Sequence, residues 1–404
     1  MLCRHCETPL QQTFLDLGYA PPSNAYLVAE DLNAPELSYP LRLKVCDTCR
    51  LVQTEDFARA DELFTSDYAY FSSTSSGWLA HAARYAEKIT QMLNLGPDSF
   101  VIEVASNDGY LLKNFVASGI PCLGIEPTAS TAQAARELDV PVEEEFFGEA
   151  FASSLPSADL IIGNNVYAHV PDLNDFTKGL YKALKPDGVI TLEFPHLMRL
   201  VEFCQFDTVY HEHFSYLSLL TVERVFNACG LRVFNVEELA THGGSLRIYG
   251  CRADSAWEEH QSVDDMRQAE ADQGLDTDKY YQGFQARANK AKDSFVAFLL
   301  DAKARGKTVA GYGAAAKGNT LMNYAGVKPD LLPFIADAAS AKIGKFMPGS
   351  HIPILAPEAL RSSRPDYLII FPWNIAAEVR SQCADLAALG TQFVTVIPDL
   401  TISK

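Results

Sequence analysis

Two cysteine pairs, Cys3-x-x-Cys6 and Cys46-x-x-Cys49, stand near the start of this 404-residue chain. Each spacing lets one tight turn aim two thiolates at a single ion, and four thiolates complete a closed tetrahedral zinc site. Such a site has no open position for a substrate, so its expected role is stability. His5 could replace a thiolate, although a histidine beside such a pair is more often a bystander. The chain holds 9 cysteines, an odd number that argues for metal ligation over a disulfide framework. Cys122, Cys204, Cys229, Cys251 and Cys383 lie in or near apolar stretches and read as small hydrophobes.

A second group of residues suits ligand binding. Val101-Ile102-Glu103-Val104-Ala105-Ser106-Asn107-Asp108-Gly109-Tyr110 reads as a strand that ends in a loop of small residues and opens a helix. That is the carboxyl edge at which doubly wound folds bind ligands. The run is not G-x-G-x-x-G, so a nicotinamide enzyme loses its main support. Glu126 follows the next strand, where a carboxylate can accept hydrogen bonds from both hydroxyls of a ribose. Glu145-Phe146-Phe147 offers aromatics that could flank adenine, with an ordinary core role equally open. A methyltransferase needs a small-residue loop and carboxylates at these places for the two ends of S-adenosylmethionine.

A third group could move protons and hold anions. Tyr210-His211-Glu212-His213 packs three proton-transferring residue types into four positions, with Phe214 and Tyr216 after them. It is not the H-E-x-x-H of a zinc protease, and a hydrogen-bonded aromatic cluster is its bland alternative. Asn164-Asn165-Val166-Tyr167-Ala168-His169 follows a strand at the same sheet edge. His242-Gly243-Gly244-Ser245 offers backbone N–H groups and Arg247 a cation, suited to a phosphate or sugar oxygen or simply to a turn. Gly311-Tyr312-Gly313-Ala314-Ala315-Ala316-Lys317-Gly318-Asn319 reads as a strand-to-helix turn whose N–H groups, helix dipole and Lys317 could cradle a diphosphate. Asp337 after the next strand and Trp373-Asn374 after a later one extend that site.

The elements that must position these residues fall into three regions. Residues 1–75 form a small module with one alternating run at 41–45 and too little apolar sequence for a core of its own, a shortfall that a metal offsets. Residues 76–252 alternate helices with strand candidates at 100–104, 121–125, 160–163 and 189–194, then 231–236 and 245–251, the pattern of a doubly wound sheet. Residues 253–305 are charged and helical in period, a connector. A second α/β unit follows with strands at 308–312, 332–335, 367–371 and 392–396, completing a C-terminal region of 253–404.

Taken together these motifs resemble the deoxysugar C-methyltransferases, S-adenosylmethionine-dependent enzymes that methylate C3, or in some members C5, of nucleotide-linked 4-keto-6-deoxysugars. The resemblance covers essentially the whole chain and rests on the paired cysteines, Glu103 to Gly109, Asn164 to His169, Tyr210 to Tyr216, His242 to Arg247 and Gly311 to Asn319. It implies an α/β fold: a small N-terminal zinc module, a central Rossmann-like methyltransferase sheet and a second C-terminal Rossmann-like unit that closes over the nucleotide. It implies S-adenosylmethionine and structural zinc as cofactors, and a dTDP- or GDP-linked sugar as partner. His213 is then the favoured catalytic base, with Tyr210 either a donor to the enolate oxygen or the alternative base, and Glu212, His169 and Asn165 beside them. Glu103, Ala105, Asn107, Gly109, Tyr110, Glu126, Phe146, Asn164, Tyr70 and Ser73 hold the cofactor. His242, Gly244, Arg247, Gly313, Lys317, Asn319, Asp337, Trp373 and Asn374 hold the nucleotide-sugar. O- or N-methylation of such a sugar, and a non-catalytic binding protein, are the rival readings. A formal charge of −18 without any Lys/Arg-rich run disfavours nucleic acid. The absence of a long apolar run or a signal-like start leads us to expect a cytoplasmic protein with no membrane partner.

Overall fold

The computed structural model describes residues 1–55, 71–74 and 76–403; Tyr70 lies outside them. Three sheets organise the described residues. The first is antiparallel, with strands in the order Gln12–Ala20, Tyr39–Val45, Val52–Thr54 and Ser215–Tyr216. Leu41, Leu43 and Val45 are buried while Arg42 and Lys44 are half-exposed, as strand alternation requires. The strand Gln12–Ala20 escaped the sequence reading because two register shifts and a left-handed Gly18 interrupt its alternation.

Both cysteine pairs close in the same way. Glu7 N–H donates to the Cys3 carbonyl and Arg50 N–H to that of Cys46, each at 2.9 Å. The two residues that follow the pairs take left-handed backbones, φ 59° and 65°. This brings all four sulfurs within 4.8 Å of one another, with Cys3–Cys49 and Cys6–Cys46 at 3.5 Å. A tetrahedron with zinc–sulfur bonds near ~2.3 Å has edges of about 3.8 Å, so the cage fits that ion. Gln53 Nε2 donates to Cys3 Sγ at 3.2 Å, a donor that favours the thiolate.

The central sheet has seven strands in the order Leu231–Leu239, Ser245–Arg252, Leu184–Pro195, Ala158–Asn164, Val101–Val104, Cys122–Ile125 and Val142–Glu143. The last five run parallel and the first two antiparallel to their neighbours. Chain order reverses between Val101–Val104 and Ala158–Asn164, the crevice where open α/β sheets take ligands.

The third sheet runs Ile354–Leu355, Ile335–Ala336, Val309–Tyr312, Tyr367–Ile370, Gln392–Thr395 and Thr401–Ser403. It is parallel apart from the final hairpin. The segment read as a connector does more than connect. Its second helix, Phe284–Ala304, buries Phe284, Ala288, Phe295 and Leu299 in one core shared by the first sheet and the third. Phe284 stacks on Phe14 at 4.9 Å. No helix of the described residues is long and apolar enough to cross a membrane.

The protein as purified should carry about one zinc ion per chain, and Cys46→Ser should lose it. Metal analysis beside a thermal melt checks this; the melting temperature should fall, because metal binding is coupled to folding of the module.

Candidate active site

All three regions meet around one cavity of about 1050 Å³. On the central-sheet side its wall is the loop after Val101–Val104. Ala105 and Asn107 take left-handed backbones there, φ 56° and 49°, a cost of order 1–3 kcal/mol that surrounding hydrogen bonds must hold in place. The N–H groups of Ala105 and Ser106 donate to the Ile125 carbonyl. Asn107 N–H donates to Glu126 Oε2 at 2.9 Å and Thr128 N–H to Oε1 at 3.0 Å. Glu126 is thereby fixed on the cavity wall, and burial raises its carboxyl above the usual carboxylate range against those two donors.

Asn107, Tyr110, Phe146 and Asn164 also line the cavity. Both polar atoms of the Asn164 amide are buried without a hydrogen-bond partner among the described residues, which marks a place built for a ligand's own polar groups. Asn107 Oδ1 accepts Ser72 N–H and Asp108 Oδ2 accepts Ser73 N–H. Ser73 itself is exposed and does not reach the cavity. Glu103 and Gly109 stand behind the wall. A Cβ on Gly109 would sit 3.1 Å from Ala135 Cβ, so this glycine serves helix packing rather than ligand approach. Burial, then Glu126 and Asp108, holds the Glu103 carboxyl well above its ordinary value.

Tyr210, Glu212, His213, His169 and Asn165 also line the cavity. His213 Nδ1 lies 3.1 Å from the Thr208 carbonyl. A carbonyl only accepts, so Nδ1 carries the proton and Nε2 keeps its lone pair. Burial first, then His169, holds His213 well below 6.5, and burial lowers His169 to about 4; both rings are neutral at pH 7. The His213 ring centroid is 4.0 Å from that of Tyr210 and 4.6 Å from that of His169. Asn24, from the N-terminal module, donates to Glu212 Oε1 at 2.6 Å. His211 points elsewhere, edge-on to Tyr39.

The turn carrying these groups is gripped from behind. Gln53 and Val52 pair with Ser215 and Tyr216, Thr54 N–H donates to the Phe214 carbonyl at 3.1 Å, and Phe214 N–H to that of Ala168 at 2.8 Å. The Arg4 guanidinium lies over the Phe214 ring at 5.4 Å.

The third wall is formed by His242, Ala315, Ala316, Lys317, Lys342 and Asn374. Lys317 Nζ donates to Asn374 Oδ1 at 2.9 Å and lies 4.3 Å from the centroid of the Trp373 ring. Burial lowers Lys317 to about 8 and His242 to about 4. The helix Ala316–Ala325 begins here with no side-chain cap.

The remaining residues expected at the substrate lie off the cavity wall. Arg247 is buried with its guanidinium 2.7 Å from Glu193 and 3.4 Å from Glu237; it balances internal charge and stands off the cavity wall. Gly244 N–H is taken by the Thr241 carbonyl, and a Cβ there would strike Arg199 at 2.7 Å. Gly313 has a similar role, tight against Pro372. Asp337 accepts the N–H groups of Ala314 and Ala339 and so shapes the loop from behind. Asn319 is fully buried below the helix start. Asn24, Trp78, Thr208 and Lys342 line the cavity without having been singled out in the sequence. Trp78, stacked on His81 and close to Tyr110 and His242, was legible only as one of the three tryptophans of the chain.

A doubly wound sheet with a cavity at its switch point, lined by three histidines and five carboxylates, has the layout of an α/β enzyme that binds its ligand at the carboxyl edge of the sheet. Comparison with known proteins narrows this. Three family models match: "Putative zinc binding domain" over residues 3–64, "Methyltransferase domain" over 78–236 and "C-methyltransferase C-terminal domain" over 240–398. The chain is 31% identical over 401 residues to the C-methyltransferase NovU of Streptomyces niveus, covering 98% of this chain and 95% of that protein. It therefore belongs to the C-methyltransferase family. Among solved structures, YcgJ of Bacillus subtilis aligns with 44% of this chain and all of its own (TM-score 0.34, 13% identity). Magnesium protoporphyrin IX methyltransferase of Synechocystis with bound SAM aligns with 43% of this chain and 81% of its own (TM-score 0.34, 12% identity).

Because Arg247 neutralises Glu193 in the interior, Arg247→Met should destabilise the fold by about 3–5 kcal/mol, the usual cost of orphaning a buried charge. Denaturant unfolding measures this, and cofactor affinity of the folded variant should stay at the wild-type value.

Proposed function

We propose that this C-methyltransferase acts on a nucleotide-linked 4-keto-6-deoxysugar and adds the methyl group to C3. The carrying observation is the placement of His213: its tautomer is set by the Thr208 carbonyl, and it lines the same continuous cavity as Glu126 and Lys317. When bound, S-adenosylmethionine supplies an electrophilic methyl group on a sulfonium.

Glu126 fits the ribose hydroxyls of the cofactor, since its carboxylate is already aimed by two backbone donors. Asn164 offers a donor and an acceptor to the methionine end. Lys317, with the first amides of Ala316–Ala325, suits the diphosphate of the sugar. A C–H beside a ketone is a weak acid, so the protein must remove the proton and stabilise the enolate oxygen. His213 Nε2 takes the proton, and the Glu212 carboxylate on the same wall offsets the charge of the imidazolium. Tyr210 and Asn165 supply donors for the enolate oxygen. The residues of this cavity would hold the enolate carbon toward the methyl group that the bound cofactor would supply, and their wall would exclude water from it.

Two outcomes check this reading. Glu126→Ala should weaken S-adenosylmethionine binding by about 1.5–3 kcal/mol, roughly 10–150-fold, by calorimetry, as expected for hydrogen bonds to a charged group. His213→Asn should lower turnover by about 100-fold or more with cofactor binding intact. Solvent deuterium exchange at the sugar carbon, followed without S-adenosylmethionine, isolates the proton step and should vanish with His213. Product NMR with dTDP- and GDP-linked 4-ketosugars places the new methyl on C3; a methyl ether or a C5 product would displace the proposal.

A further inference from the structure

Asp207 is fully buried three residues before Tyr210, in the short turn Phe206–Thr208. Its carboxylate has no ion-pair partner among the described residues. Oδ2 accepts the Trp373 indole N–H at 2.7 Å, and Oδ1 has no hydrogen-bond partner. A carboxylate held in the interior by neutral donors alone, the Trp373 indole and the backbone N–H groups of Asp207 and Thr208, is costly, so its position calls for a use. Nothing in the proton transfer employs it.

The indole it holds comes from the C-terminal unit, so this hydrogen bond crosses between the two large units. Trp373 is clamped on its other side by the Gly243 backbone, where a Cβ would come within 2.2 Å of its ring. The opposite consequence is at Lys317. Its ammonium lies over the Trp373 ring at 4.3 Å and donates to the neighbouring Asn374. Lysine is a flexible point charge with three donors; here ring and amide hold it in one place on the cavity wall. Burial raises Asp207 to about 6 and lowers Lys317 to about 8, and each opposes the shift of the other through its charge.

We propose that Asp207, acting through the Trp373 indole, is a positioning residue that holds Lys317 against the anionic group of the substrate. This rests on the reading of Lys317 as the diphosphate contact. The same turn presents the Thr208 carbonyl to His213, so the anion-binding lysine and the base are referenced to a single piece of backbone.

The test uses the full-length zinc-loaded chain with the demethylated cofactor bound, and titrates dTDP and GDP by calorimetry. Lys317→Ala should weaken binding of the accepted nucleotide by about tenfold or more, the effect of losing a charge-assisted contact. Asp207→Asn and Trp373→Phe, the latter keeping a ring but no N–H, should each weaken it by about fivefold or more. Each should be without further effect in the Lys317→Ala background, since groups acting through one another are not additive. In turnover assays Asp207→Asn should raise KM for the nucleotide-sugar and leave kcat within about threefold. Cofactor affinity should not move. Equal losses in the presence and absence of Lys317, or loss of cofactor affinity in both variants, would make Asp207 merely structural and overturn the proposal. Wild-type binding by Lys317→Ala, or no nucleotide binding by the wild type, overturns the diphosphate reading and the proposal with it. Weakening by Lys317→Ala alone overturns only the positioning role.

Discussion

The antiparallel pairing of Val52 and Gln53 with Tyr216 and Ser215 is the contact on which the rest of the molecule depends. Through it the turn that carries Tyr210, Glu212 and His213 becomes the edge of the zinc module's sheet rather than a loop of the central domain. A loop on a sheet edge is ordinarily mobile, whereas this one is bonded on the Thr54 side and the Ala168 side at once. The cysteine cage lies directly beside this pairing, four sulfurs from two turns of equal geometry, and Gln53, paired with Ser215, also donates to Cys3 Sγ. Metal ions of this kind do not touch substrate, yet the order they impose on the module reaches the turn that carries His213 through a few backbone hydrogen bonds.

The module has no separate core of its own. Phe14, Leu15, Leu43 and Val45 are buried in one cluster with Phe284, Phe295, Ile335 and Ile369 of the C-terminal half, while Cys3, Cys46 and Cys49 pack into the cluster of the central sheet. The small first region is therefore a wedge between the two larger ones. That explains how Asn24 reaches Glu212 and Tyr26 the Ala314 carbonyl. Cavity shape is a property of this three-way packing, and neither large unit alone encloses it.

Within the cavity, burial sets the protonation states. His169, His213 and His242 are all held low, chiefly by desolvation, and Glu126 and Glu103 are held high. Neutral histidines on the same cavity wall as a buried cation would, in the proposed reaction, suit substrates that bring their own negative charge, because a low local dielectric strengthens attraction to Lys317 without charging the histidines.

Much of this was legible in the sequence by itself. Paired cysteine spacing announced the four-sulfur cage, since the geometry of a CxxC turn is local. Strand-loop-helix patterns located Glu126, Asn164 and Lys317 at the carboxyl edges of sheets, because parallel strands must return through helices and their loops share one edge. Local pattern failed where a residue's task is set by what lies across space. Arg247 read as a free cation, and only the tertiary structure shows it buried against Glu193 and Glu237. Gly244 and Gly313 read as ligand-facing turns, and the fold shows them making room for Arg199 and Pro372. The tautomer of His213, the bond from Asn24 to Glu212 and the Asp207–Trp373 contact across 166 positions have no trace in spacing, for a hydrogen bond between distant segments is decided by packing and not by propensity.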